Sequence, residues 1–310
     1  MDFEVFEFEG IDGKKITGYK WELPEEPTPR GIVQISHGMA EHAARYDGFA
    51  QALNAAGYCV YANDHRGHGK TAGSVEELGF FAEKNGWELV RDDMFVLTGI
   101  IKNAHKGLPV FVLGHSMGSF LTRSYLLKYA DEIDGAILSG TAGDPGILGD
   151  VGEIIAAVEC RLKGPRAKSP LMDKLSFGTF NAPYKPNRTA FDWLCTVDAE
   201  VDKYIADPFC GAVHTTSFFV QLLGAVKTVN DFDEITTMPK DIPIYIFSGA
   251  LCLVGKETKG VVNIFQKYIK AGIKDVSLKF YGQARHECLN EANKEEVYHD
   301  VIVWLDNRCR

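Results

Sequence analysis

A serine set in Gly114-His115-Ser116-Met117-Gly118 and a histidine in the late segment Gly282-Gln283-Ala284-Arg285-His286-Glu287 are the residues whose types and settings could do chemistry together. The pentapeptide has the form G-x-S-x-G. A sharp strand-to-helix turn of that kind lifts a serine Oγ clear of a sheet, while its glycines let neighbouring backbone pass close by. The start of the following helix offers N–H groups and a positive dipole end to a developing oxyanion. A serine needs a base, and His286 can take its proton and return it to a leaving alkoxide. Taken alone, the pentapeptide is also what a glycine-rich turn with a capping serine looks like. Its context decides between the two.

That context runs from Leu108 to Tyr129. Val110 to Leu113 is a short apolar run suited to a buried strand, and Phe120, Leu121, Tyr125, Leu126 and Tyr129 recur at helical spacing. Strand, turn and helix are therefore expected in the order that a serine nucleophile requires.

The rest of the chain supplies the frame. Residues 3–9 and 14–22 alternate around Asp12-Gly13 and predict a hairpin; Pro24, Pro27 and Pro29 form a connector. Strands are expected at 31–36, 58–62, 134–139, 241–249 and 276–281, and helices at 46–56, 87–104, 258–271 and 293–306. Buried strands alternating with helices predict an α/β fold with a mostly parallel sheet covered on both faces. Residues 143–238 break the rhythm. They are helical in patches, hold no strong strand, and carry Phe177, Phe180, Tyr184, Phe191, Trp193, Phe209, Phe218 and Phe219. The chain thus divides into core (1–142), a helical cap inserted over the strand ends (143–238), and core again (239–310). Ligands bind at that end of an open α/β sheet, and the aromatic content leans towards an apolar acyl or aryl site.

Composition narrows the function classes. A net charge of −9 argues against a nucleic-acid partner, and no apolar run approaches the length of a membrane span, so stable membrane insertion is not expected. The first residues, MDFEVFEFEG, lack the basic start and apolar centre of a signal peptide, so a cytoplasmic location is expected. The cysteines number 7, with no C-x-x-C pair, which fits free thiols better than disulfides or a zinc site. Nothing in the sequence specifies an oligomeric state.

Four segments carry a resemblance. HGMAEHAARY at 37–46, NDHRGHGKT at 63–71, GHSMG at 114–118 and ARHE at 284–287 together resemble the monoacylglycerol lipase and lysophospholipase branch of the α/β-hydrolase superfamily, across residues 25–142 and 239–310. The cap carries no matching motif. The resemblance implies an eight-stranded sheet, a mobile cap, no cofactor and no metal, and a small acyl ester as substrate. By position it makes Ser116 the nucleophile and His286 the base, with the N–H groups of Met39 and Met117 as oxyanion donors and Gly38 and His115 beside the substrate. His37, Glu41, His42, His65 and His68 are then loop scaffolding rather than metal ligands.

One position departs from the pattern. In the branch that the sequence resembles the acid is expected three residues after the position of Gly249, and that residue is Cys252, inside the uncharged run Ala250-Leu251-Cys252-Leu253-Val254. Leu251 and Leu253 would then border a remodelled pocket. Gln283 is also larger than the residue expected there. Losing the acid of such a triad costs about 10⁴-fold in turnover in the serine-protease case. Three readings stay open: another carboxylate substitutes, Asp144 first, then Glu257 and Glu287; the site has diverged or been redesigned, with weakened activity or a Cys252–His286 nucleophile dyad; or the scaffold binds a ligand without catalysis.

Overall fold

The computed structural model describes residues 3–23 and 28–309; Pro24 and Pro27 of the expected connector lie outside them. Eight strands form one sheet: β1 (Glu4–Glu9), β2 (Lys15–Trp21), β3 (Gly31–Ser36), β4 (Tyr58–Asn63), β5 (Val110–His115), β6 (Gly135–Ser139), β7 (Ile244–Gly249) and β8 (Val276–Tyr281). Their order is β1-β2-β4-β3-β5-β6-β7-β8. The hairpin β1–β2 is antiparallel and joins β4 antiparallel, and every later pairing is parallel.

Alternation along the strands makes two cores. Ile32, Val110, Val112, Ala136, Leu138, Ile244 and Ile246 face one side, beneath α2 (Gly86–Ala104), α3 (Met117–Tyr129) and α9 (Lys259–Lys270). Val33, Ile35, Phe111, Leu113, Ile137, Tyr245 and Phe247 face the other, beneath α1 (Asp47–Ala55) and α10 (Lys294–Asp306). A strand buried on both faces gains from an apolar side chain at every position, so its sequence reads as a continuous apolar run.

The chain leaves β3 for β4 on one side, then returns across β3 to β5 on the other. The sheet therefore reverses direction between β3 and β5, which pair with Ser36 opposite Gly114. A crevice opens beyond strand ends at such a reversal. The loop after Ser36 and the turn after His115 both enter it.

Five helices lie between β6 and β7: α4 (Ile147–Lys163), α5 (Pro170–Phe177), α6 (Asp198–Ala206), α7 (Thr216–Asn230) and α8 (Phe232–Thr237). Pro at the first position and the Ser169 hydroxyl, which accepts from the Met172 N–H, start α5. Thr215 caps α7 in the same way. Phe218 and Phe219 are buried in the main core, so those two expected cap aromatics are spent on packing. Among the described residues no helix is long and apolar enough to cross a membrane.

Two refinements concern the elbow helix. It begins at Met117, directly after the serine, and is buried on nearly all sides rather than along one stripe. Within it Arg123 is fully enclosed. It donates to the Ala142 carbonyl where the chain enters the inserted segment, and to Val229 O and Asn230 Oδ1 where it leaves.

Candidate active site

Ser116 sits between β5 and α3 with φ 53° and ψ −118°. A non-glycine residue pays for that conformation in strain, and here the turn is held by its surroundings. The Ser116 N–H donates to Ser139 O at 2.9 Å. Gly118 lies against the end of β3 so closely that a Cβ there would fall 2.0 Å from Ser36 O. The serine is half-buried, and among the described residues its hydroxyl has no hydrogen-bond partner.

The loop after β3 is braced from within. The Gly38 N–H donates to Glu41 Oε1 at 2.6 Å, and Tyr46 donates to the same oxygen at 2.9 Å. His37 Nε2 accepts from the His65 N–H at 2.9 Å, so its Nδ1 carries the proton and donates to Gly38 O at 2.7 Å. Burial holds the His37 ring well below the ordinary imidazole range, and with it His65 and His68, the latter to about 3. Among the described residues the Met39 N–H meets no acceptor. Met117 is the first residue of α3, where helix geometry leaves the N–H free. Gly38 packs beside Ser116 and lines the same cavity.

His286 is buried between the cap and the core. Its ring lies 5.3 Å from that of Trp193, at 34°, and 4.7 Å from that of His115. Gly140, at φ +58°, passes beneath it, and a Cβ there would come within 3.1 Å of His286 Cε1. Nδ1 of His286 lies 3.2 Å from Cys252 Sγ. Cys252 is completely buried. Burial alone would raise its thiol; the charge and hydrogen bond of His286, with the Gly255 amide and the Ser248 hydroxyl, outweigh that and bring it below the ordinary thiol value. Among the described residues no hydrogen bond joins Ser116 Oγ to His286. Such bonds are often long before substrate arrives.

The other acid candidates are elsewhere. Asp144 is exposed, takes the Gly146 N–H at 2.7 Å and lies 4.0 Å from Lys267 Nζ; no hydrogen bond links it to His286. Glu257 is exposed. Glu287 is buried beside the histidine, but both its oxygens face Arg45, at 2.9 and 2.8 Å, and Arg45 also bridges to Glu41. Burial would raise the Glu287 carboxyl, but Arg45 outweighs it and holds it well below the usual carboxylate range. Leu251 and Leu253 do not line the cavity; Leu251 is exposed and its carbonyl accepts from the Tyr184 hydroxyl. Gln283 points to solvent, which is why its size costs nothing.

A cavity of about 340 Å³ brings Gly38, Met39, His115, Ser116 and His286 together. The inserted segment walls it with Phe177, Phe191, Trp193 and Leu194, while Glu41, Glu287 and Tyr204 give it a polar end. The segment is tied down around the site. Leu194 O takes the Glu287 N–H at 2.8 Å, Arg285 stacks 4.1 Å from the Tyr184 ring, and His42 pairs with Asp207 at 2.8 Å. His214 meets His68, Nε2 to Nε2, at 3.0 Å. One set of mixed donors, His42, Asp207 and Cys210, lies within 4.8 Å of one another, two of them already joined by that hydrogen bond.

Sequence reasoning missed Gly140 and the contact of Trp193 with His286. Neither spacing nor composition marks them, because both act across the fold. The members of the Glu41–Arg45–Glu287 group all stand in the segments 37–46 and 284–287, and only their meeting was hidden.

Comparison with known proteins identifies the family. The family model described as serine aminopeptidase, S33, matches residues 27–293. The chain is 30% identical over 305 residues to a monoacylglycerol lipase of Mycolicibacterium smegmatis, covering 96% of this chain and 95% of that one. It is 28% identical to a human monoglyceride lipase, over 91% of this chain and 84% of that one. Among solved structures it superposes on a thermostable carboxyl esterase from Bacillus coagulans, in complex with glycerol, with a TM-score of 0.92 at 26% identity and full coverage of both chains. The chain belongs to the serine aminopeptidase S33 family of α/β-hydrolases, in its monoacylglycerol lipase-like branch of carboxylic ester hydrolases.

Proposed function

We propose that the protein cleaves monoacylglycerol- or lysophospholipid-like acyl esters through an acyl-enzyme on Ser116. The observation that carries this is the shared cavity: a serine on a strained elbow, a buried histidine and the Met39 backbone border one space with an apolar wall, and the Met117 N–H stands at the helix start directly behind the serine. The acyl chain lies along Phe177, Phe191 and Trp193, and the alcohol at the Glu41–Glu287 end. Ser116 Oγ attacks the ester carbonyl as His286 takes its proton. The Met39 and Met117 N–H groups receive the oxyanion. His286 then passes the proton to the departing alkoxide and activates water for deacylation.

Cys252 stands where a carboxylate would hold the His286 Nδ1–H. It is fully buried and does not border the cavity, which supports a role behind the histidine rather than attack on substrate. A thiol is a weak acceptor, so turnover is low. The test is hydrolysis of p-nitrophenyl butyrate by the protein, by Cys252→Asp and by Ser116→Ala. A gain of about 10²-fold or more with Asp, and loss with Ala, supports the reading. Unchanged activity in Ser116→Ala would overturn it and leave a thiol-centred reaction to be tested by alkylation. No turnover in any of the three would leave a binding scaffold.

A further inference from the structure

We propose that Cys252 is an oxidation site, and that its sulfinic acid form gives His286 the anionic partner that the thiol does not. The proposal rests on the hydrolase reading above and concerns the regulation of that same site. A cysteine sulfinate has one atom on Cβ bearing two acceptor oxygens and one negative charge. It is therefore close to an aspartate side chain in outline and in charge.

The surroundings of the sulfur already suit such an anion. His286 Nδ1 lies 3.2 Å from it, while the Ser248 hydroxyl next to it donates to the Gly249 carbonyl. A thiol sulfur is a weak acceptor for a hydrogen bond from that ring. Two oxygens with a full charge are strong acceptors, because hydrogen bonds to charged acceptors are roughly twice as strong as neutral ones. The fold thus keeps the histidine partner of an anion opposite a side chain without oxygens.

Reactivity at this thiol is favoured over its neighbour. His286 promotes the thiolate at Cys252, whereas burial holds the Cys288 thiol well above its ordinary value and keeps it protonated. Cys252 is enclosed, and it belongs to a run of turns over residues 250–258. Lys256, Glu257 and Thr258 in that run have φ of 51°, 49° and 78°. Three successive strained residues lower the cost of local opening, and the oxidant needed is scarcely larger than water.

The oxidant is hydrogen peroxide. The thiolate sulfur attacks one peroxide oxygen; an S–O bond forms, the O–O bond breaks, and the departing hydroxide takes the proton of the His286 imidazolium to become water. Sulfur loses two electrons and the peroxide gains them. The sulfenate repeats the step with a second peroxide, forming a second S–O bond and a second water. The product is the sulfinate, which thiol reductants do not reverse.

The experiment treats the intact protein with a small excess of peroxide and then with dithiothreitol, which returns sulfenates and disulfides to thiols. Turnover of p-nitrophenyl butyrate is measured against the fraction of Cys252 carrying two added oxygens by peptide mass. Turnover should rise about tenfold or more, in proportion to that fraction. The rate–pH profile of the oxidised chain should match that of Cys252→Asp, which a merely structural change would not produce. Cys252→Ser, with the other six cysteines intact, should gain nothing, and Cys252→Asp should be indifferent to peroxide. Sulfinate at Cys252 with unchanged or lower turnover overturns the proposal. So does Cys252 recovered reduced, or paired with Cys288 before reductant, at doses that oxidise other thiols. An active Cys252→Asp beside an inert sulfinate overturns this proposal alone; an inactive Cys252→Asp overturns the hydrolase reading and this proposal with it.

Discussion

The sulfur of Cys252 lies 3.2 Å from Nδ1 of His286, so in the proposed reaction the proton that the histidine keeps while Nε2 works is directed at a thiol. A carboxylate in that place is ionised at every working pH, whereas a thiol becomes an anion only above its pKa. The neighbouring His286 brings that value below the ordinary thiol range.

The rate of ester hydrolysis should therefore carry the signature of the thiol. Below the Cys252 pKa the partner is neutral and supports the imidazolium poorly; above it the thiolate supports it well. Turnover by the unmodified protein rises with pH through a step below 9, the ordinary value. Cys252→Asp lacks that step. Rate–pH profiles of the two chains, on one substrate, check this; a shared alkaline step would assign it elsewhere.

Gly140 should matter more for catalysis than for stability. An alanine there meets both a positive φ and the ring of His286, 3.1 Å from the new methyl. Strain of this kind costs about 1–3 kcal/mol, but the displaced ring loses its alignment with Ser116. Gly140→Ala should lower kcat about 10²-fold while the urea midpoint shifts modestly. Equal kcat in the variant would show that the contact leaves the ring free.

The buried Glu41–Arg45–Glu287 group should be costly to break and cheap to replace. Arg45→Met leaves two carboxylates buried without their cation, with an expected loss of about 3–5 kcal/mol. The triple variant Glu41→Gln, Arg45→Met, Glu287→Gln should recover most of it. Urea unfolding of the three chains measures both. A triple variant no better than Arg45→Met would mean that the geometry of the loop, and not charge, is what Arg45 maintains.

Acid should destabilise this fold early. His37, His65, His68, His115 and His214 are all buried, and burial holds each below its ordinary value, His115 at about 4 and His68 at about 3. The unfolded chain takes up these protons near pH 6.5 and the folded chain does not. Stability is thus complete above that pH and falls below it, by at most about 1.4 kcal/mol per pH unit for each ring. Asp64 and Asp93, raised by burial, act the other way at lower pH, so the comparison belongs between about pH 7.5 and 5.5. A denaturation midpoint unchanged across that range would contradict the neutral assignment.

Much of this was legible in the sequence, for a physical reason. Strands buried on both faces must be apolar throughout, so β3 to β7 announce themselves, and a serine between a strand and a helix announces its turn. Contacts across the fold leave no such trace. Trp193 reads as one more aromatic in a segment rich in them, and only its position against His286 distinguishes it. The same holds for Gly140 among 31 glycines. Asp144 looked suitable because it follows a core strand, yet its side chain turns back to Gly146 and faces Lys267. Loop direction, which decides such questions, is set by local turns that composition does not fix.

The meeting of His68 and His214 can be counted in protons. Each ring directs Nδ1 at a carbonyl, of Arg66 and of Ala212, and the two Nε2 atoms face each other. Three hydrogen bonds require three protons, and two neutral imidazoles carry two. Burial, with neighbouring His37 and Lys168, keeps both rings neutral. One bond of the three is therefore always missing at neutral pH. The inserted segment is joined to the core at that point by a contact one proton short, and it parts there at less cost than its close packing would suggest.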